Sequence, residues 1–307
     1  MNLFIIGNGF DVAHGLRTSY IDFRKFLDDT DWEYLVNLEK PYGFVPESNH
    51  EWVEKHLWRE FESNLSAINE DEIVDGCMSI EMGLEGSDIG IEDTLNEYWE
   101  DQYGYISRLN DYIKTWVEQI EVEKTKKTSK IKRNSNDVFF SFNYTLLLEK
   151  IYKIDSSQIV HIHGSIDEEN DISPVIGHGN TEIINTAKAK ADEATENFWE
   201  KDTSIYNALV NYYKRTLKDV NHYVNVHNHF FKQLKPVEQV FVIGHSFGDV
   251  DLPYFKKVLE NVNENTIWNV YYYDVSDALV FKEKLLSIGI QMKNIVISSS
   301  SKFFDKK

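Results

Sequence analysis

Short apolar runs that lack the in-and-out alternation of a half-exposed strand set the strongest limit on what this chain can become. They lie near Asn2–Ile6, Asp137–Phe142, Ile159–His163, Pro174–Ile176, Gln239–Ile243, Trp268–Tyr273 and Asn294–Ser298. A strand that is apolar on both faces must be covered on both faces, which is the mark of a parallel sheet with helices packed against it. Helical signals fall between the runs, at Ser19–Leu27, Trp52–Ala67, Thr94–Val122, Thr145–Tyr152, Leu252–Val262 and Ser276–Ile288. Ala187–Gln233 holds neither Gly nor Pro and reads as helical throughout, in two or three pieces. The expectation is an α/β core with two largely helical insertions, at about residues 30–135 and 180–235.

Charge sharpens this division. The 307 residues include 32 basic and 51 acidic ones, for a net charge of −19. Seventeen of the acids lie between Glu47 and Asp101, against two bases, Lys55 and Arg59. The excess acid therefore belongs to the first insertion and says little about loops at the strand ends. It argues against broad binding of a nucleic-acid backbone. Lys124, Lys126, Lys127, Lys130, Lys132 and Arg133 form a basic run interleaved with Ser and Thr, which reads first as a solvated linker and second as a tether for a partner. Cys77 is the single cysteine, so neither an intrachain disulfide nor a Cys-Cys zinc clasp can form, and a reduced cytoplasm is the expected compartment. No apolar run approaches the roughly 20 residues of a membrane span.

Four loops at predicted strand ends carry the polar chemistry. Gly7-Asn8-Gly9-Phe10-Asp11 follows the first run, where glycines allow backbone N–H groups to approach a phosphate. The pattern stops short of G-x-G-x-x-G because position 12 is Val12. Phe140-Ser141-Phe142-Asn143-Tyr144-Thr145 runs from strand to helix; on this segment alone, helix capping by Asn143 or Thr145 is the simpler reading. His161-Ile162-His163-Gly164-Ser165 places two histidines at period-two spacing, on one strand face. No carboxylate or cysteine follows at metal-ligand spacing, so a general base suits His163 better than zinc does, with a buried hydrogen-bonded pair as the plain alternative. Gly244-His245-Ser246-Phe247-Gly248-Asp249-Val250-Asp251 closes the set. Ser246 and its neighbours suit phosphate or ribose, Asp249 and Asp251 suit ribose or a helix cap, and the G-x-S-x-G spacing imitates a serine-hydrolase elbow.

In chain order these motifs, joined by His14-Gly15-Leu16, Thr18-Ser19-Tyr20-Ile21-Asp22-Phe23, Gly177-His178-Gly179-Asn180 and Pro253-Tyr254-Phe255, resemble the bacterial abortive-infection AbiH family, which is similar to sirtuin-like domains. The resemblance runs from Met1 to about Ile288 and owes little to the insertions. It implies one Rossmann-like, sirtuin-like domain over 1–307 that binds NAD as substrate and cleaves its nicotinamide–ribose bond in anti-phage defence. It implies catalytic roles for Asn143, on ribose and water, and for His163. It implies nucleotide contacts at Gly7, Asn8, Gly9, Phe10 and Asp11 in the first loop and at Gly244, Ser246 and Asp249 in the late one. Two departures stand out. Sirtuins carry an acidic residue two places after the asparagine, where this chain has Thr145, and they carry a four-cysteine zinc ribbon that Cys77 alone cannot build. NAD hydrolysis without a metal is thus expected in place of deacetylation, with a non-catalytic NAD or ADP-ribose sensor or scaffold as the alternative and a Ser246 hydrolase below it. A constitutive NAD hydrolase would poison its host, so an off-state is expected, controlled by a phage-derived or defence-system protein or by homo-oligomer assembly. Tyr98, Tyr103, Tyr105, Trp116, Trp199, Tyr206, Tyr212 and Tyr213 in the insertions read first as core and second as subunit contacts.

Overall fold

The computed structural model describes residues 1–78, 99–100, 103–128, 131, 134–167 and 172–304. Tyr98, the start of the expected helix Thr94–Val122 and part of the basic run lie outside the described residues. Six strands form one sheet: β1 (Asn2–Ile6), β2 (Val138–Ser141), β3 (Ile159–His161), β4 (Gln239–Ile243), β5 (Ile267–Tyr272) and β6 (Ile295–Ser299). Their order is β3-β2-β1-β4-β5-β6, and every neighbouring pair is parallel. This is the strand order of a Rossmann-like fold, with its topological switch point between β1 and β4.

Alternate residues of each central strand enter opposite apolar layers, which explains the missing in-and-out pattern. Leu3 and Ile5 pack with Phe140, Val240 and Val242, under Phe230 and Phe231, Tyr254, Phe255 and Val258, and Phe281 and Leu285. Those last side chains belong to the helices Asn228–Lys232, Leu252–Asn261 and Asp277–Ser287. Phe4 and Ile6 pack on the other side with Phe139 and Ile243, under Phe10, Leu147, Leu148 and Tyr152. Across that face Phe4 stacks on both neighbours in register, with ring centroids 4.9 Å from Phe139 and 5.0 Å from Phe241. The carboxylate of buried Asp137 locks the start of the ladder: it accepts from the Asn2 N–H at 2.7 Å and from the Asn134 N–H at 2.8 Å.

Pro174–Ile176, expected as a strand, is not one. Pro174 has no N–H to give, and the segment makes a short backbone pairing, Val175 N–H to His163 O at 3.0 Å, beside Ser165 N–H to Ile172 O at 3.2 Å. Trp52–Ala67 is likewise broken. The helix His50–His56 ends where Asn64 Nδ2 donates to the carbonyls of His56 and Leu57, at 3.0 and 2.8 Å.

The chain divides into two compact units. One comprises 1–19, 113–175 and 219–307 and holds the sheet. The other comprises 20–112 and 176–218 and is helical. The two stretches expected as insertions, 30–135 and 180–235, thus contribute to one helical unit whose segments begin earlier, at 20 and 176, and end earlier, at 112 and 218. The outer parts of both stretches are claimed by the sheet: Val122 packs under β1, and Phe230 and Phe231 pack over β2. Within the helical unit, Phe23, Leu27, Leu35, Leu38, Trp58 and Phe61 are buried. A buried ion pair crosses them, Arg24 Nε to Glu39 Oε1 at 2.7 Å, and the same oxygen accepts from Trp58 Nε1 at 2.7 Å. Trp116, Tyr212 and Tyr213 are core residues, whereas Trp199 is exposed at the turn between the paired helices Thr181–Glu196 and Glu200–Arg215.

The stacked Phe4 ring leads to the first test. Phe4→Ala is expected to lower stability by about 3–5 kcal/mol, as for other large-to-small core changes. Urea unfolding checks this: the midpoint falls while the slope stays at the wild-type value.

Candidate functional site

The loops that leave β1 and β4 meet at the switch point, where open α/β sheets bind ligands. The contact is backbone on backbone. Gly7 N–H donates to Ile243 O at 3.0 Å, and Gly9 N–H donates to Gly244 O at 2.7 Å. The N–H groups of Gly7 and Gly9 are thus bonded within the protein. The helix that follows, Asn8–Ala13, is six residues long. Gly244 has a left-handed φ of +68°, and a Cβ on it would lie 2.2 Å from Phe10 N. A side chain at Gly7 would lie 2.6 Å from Gly244 O. These glycines serve the approach of two loops. Phe10 is fully buried in the apolar layer, while Asn8 is exposed at the loop's outer edge.

Asn143 stands where β2 gives way to its loop. The cap expected of it is not made, because the next helix, Leu147–Lys150, starts without a side-chain cap. Asn143 Nδ2 instead donates to Gly7 O at 3.2 Å and to Asp11 Oδ1 at 2.8 Å. Thr145 Oγ1 donates to the other oxygen of Asp11 at 2.6 Å. Asp11 is buried, and burial pushes its carboxyl from the usual 3.8 up to about 7, against the pull of those two hydrogen bonds. Asn143 Oδ1 is left buried, with no hydrogen-bond partner among the described residues. Behind Asn143, His161 Nδ1 donates to the Asn143 carbonyl at 2.7 Å, and His161 Nε2 lies 2.8 Å from Glu149 Oε1.

His161 and His163 do not share a face. β3 ends at His161, and Gly164 N–H closes a turn on His161 O at 3.1 Å. The turn sends His163 elsewhere: its Nε2 is 3.1 Å from Tyr254 OH and 3.9 Å from Asp251 Oδ1. The other oxygen of Asp251 is 3.2 Å from His245 Nε2. His245 Nδ1 accepts from the Phe247 N–H at 2.9 Å, so the proton of the neutral ring sits on Nε2, facing the carboxylate. Phe142 lies against both histidine rings, with centroids 5.5 Å from His163 and 4.3 Å from His245. Sequence reasoning had Asp251 as a ribose ligand or helix cap and gave Tyr254 and His245 no role; their convergence on His163 is a product of folding.

Other expected residues stand apart. Ser246 is exposed, and no histidine bonds its hydroxyl among the described residues. The backbone with positive φ in this loop falls at Gly244 and Phe247, not at Ser246, so the strain of a nucleophile elbow is displaced from the serine. Asp249 is exposed and 3.1 Å from Lys284 Nζ. His14 and His178 are structural. His14 Nδ1 donates to Phe10 O at 2.7 Å; His178 Nε2 donates to Tyr213 O at 3.1 Å, and burial holds its pKa down at about 4. Among the described residues no group of three His, Cys, Asp or Glu is placed to hold a metal ion. No helix among them is long and apolar enough to cross a membrane.

Two comparisons bear on this arrangement. The family described as bacteriophage abortive infection AbiH matches residues 3–272. No curated protein matches the chain.

The raised Asp11 carboxyl makes stability depend on pH. Between about 4 and about 7 the native chain keeps this proton while the unfolded chain has lost it. The native state binds more protons there, so the Asp11 contribution to stability is complete below that window and declines as pH rises through it. Asp11→Asn is expected to remove this slope. Denaturant unfolding of both proteins from pH 4 to pH 8 checks it, and parallel curves would refute the assignment.

Proposed function

The chain belongs to the AbiH family of bacteriophage abortive infection, and from that membership and the geometry at the sheet edge we propose that it binds NAD and hydrolyses the nicotinamide–ribose bond. Its role in abortive infection follows from the family. The observation that carries the proposed chemistry is the buried Asn143 Oδ1. Its amide nitrogen is spent on Gly7 and Asp11, so the oxygen can only accept, and no described residue donates to it. A buried acceptor left unmet costs about 1–3 kcal/mol. A ribose hydroxyl and an attacking water both bring the missing donor.

The reaction takes NAD and water to nicotinamide, ADP-ribose and a proton. The electron pair of the breaking C–N bond goes to the pyridine nitrogen, and positive charge develops at the anomeric carbon. Asn143 Oδ1 holds a hydroxyl or water without adding charge. His163 takes the proton of a ribose hydroxyl, which lets that oxygen stabilise the cation, and returns it once water has added. The added water releases its own proton to solvent. Asp11 supports the reading from an unexpected place: bonded to both Asn143 and Thr145, it supplies a carboxyl beside Asn143 where Thr145 stands in place of the acid expected from a sirtuin-like site. Asn8 and Ser246, both exposed on the two loops of the switch point, are the groups we assign to the nucleotide's polar edge. An unregulated hydrolase of this kind would kill its host, so the reading includes an off-state relieved by a phage-derived or defence-system protein or by self-assembly.

Product analysis tests this. The activated protein is expected to convert NAD to nicotinamide and ADP-ribose, and His163→Ala or Asn143→Ala to slow turnover by about 10²–10⁴-fold in protein that still unfolds cooperatively. NAD that is bound but left intact, both with purified protein and in infected cells, would replace hydrolysis with a sensor role.

A further inference from the structure

Asp251 occupies the N-cap position of the helix Leu252–Asn261, yet its side chain makes no capping bond. Aspartate is among the best N-cap residues, and that bond is usually worth about 1 kcal/mol. The donors of such a cap are absent here: Pro253, the second residue of the helix, has no N–H, and Tyr254 N–H already donates to Asp251 O at 3.0 Å. The carboxylate is thereby left to turn toward two histidines that follow different strands. One oxygen lies 3.2 Å from His245 Nε2, and the other lies 3.9 Å from His163 Nε2.

We propose that Asp251, braced by His245, is the positioning residue for His163: it fixes the imidazole and provides the counter-charge when that ring takes a proton from a ligand hydroxyl. The inference rests on the reading of His163 as the proton acceptor. His245 cannot exchange roles with His163, because its Nδ1 is committed to the Phe247 N–H and its Nε2–H to Asp251. That pair of bonds holds the Asp251 carboxylate in one orientation. Among the described residues, the other side chains placed against His163 carry no charge. Tyr254 comes from the same helix as Asp251, Phe142 follows β2, and Tyr223 comes from the helix Val220–Val226 with its ring 5.9 Å away. The Asp251 carboxylate is a charged group facing this ring, and an opposite charge at such a distance favours the protonated imidazole. The proton moves from the ligand O–H to His163 and back; Asp251 stays ionised throughout and pairs with the imidazolium while it exists.

The test follows the ring directly in the intact chain. Histidine ¹⁵N spectra of the free protein, with His163→Gln to assign the signal, give the titration midpoint of His163. Asp251→Asn is expected to lower that midpoint by about one pH unit, and to move the acidic limb of the turnover profile for NAD by the same amount. Asp251→Glu is expected to restore part of both shifts and serves as the second variant if the amide folds poorly. A midpoint and limb unmoved in folded Asp251→Asn would overturn the proposal, since a purely structural role changes melting temperature alone. Absence of NAD turnover in the activated wild type would sink the hydrolase reading, and the spectra would still decide the part played by Asp251.

Discussion

Two backbones in contact govern the rest of this molecule. At the switch point the β1 loop and the β4 loop close on each other through Gly7, Gly9 and Gly244, and a methyl group on any of the three would fall within 2.6, 2.9 or 2.2 Å of a neighbouring atom. The N–H groups of Gly7 and Gly9 then extend the β1–β4 ladder past the last strand residues. The spacing of the loops is therefore fixed by covalent dimensions and hydrogen bonds, not by side chains that can adjust. On one side of this seam Asp11 reaches Asn143; on the other, Asp251 reaches His163. The polar groups have a rigid support, which is what a site that must hold ligand atoms to fractions of an ångström requires.

The polar residues at the sheet edge leave the helices that follow them without a side-chain cap. Asn143 and Thr145 precede a helix that neither caps, and Asp251 sits at an N-cap without capping. Asn143 and Thr145 instead bond Asp11, far earlier in the chain, and Asp251 pairs with His245 of its own loop and faces His163. Local hydrogen bonds from Asn, Thr and Asp to nearby backbone are common and inexpensive. Bonds made across the fold place fixed dipoles and one carboxylate around His163 and another around Asn143, in surroundings where burial amplifies their effect.

Much of the scaffold was legible in the amino-acid order. Leu3 to Ile6 and Gln239 to Ile243 are apolar on both faces because both faces are covered, and that pattern predicts parallel strands without reference to any relative. Strand order was beyond reach, since nothing in the residues of β4 says that it pairs with β1. The histidine pair shows a second limit: period-two reasoning holds only while the strand lasts, and β3 stops at His161, so His163 turns away. Capping was the sound expectation for Asn143 and failed because the next helix begins only at Leu147, while its amide nitrogen bonds Asp11, 132 residues earlier. Of the candidate site, the residues that open the loops were visible and the carboxylates that orient them were not, for chain separation conceals contacts that only the fold creates.

The seam also sets a schedule. β2 and β3 are made well before β4, and β1 can pair with β2 as soon as that strand exists, but Gly244 has to emerge before the β1 loop meets its other wall. Until then Asp11 has no fixed distance from the β4 loop, and His163 has neither Asp251 nor Tyr254 beside it. Closing a contact so remote in sequence is slow, because the chain loses entropy before any new bond rewards it. A nascent or truncated chain that ends short of this loop thus carries His163 without the carboxylate and hydroxyl that face it in the folded protein.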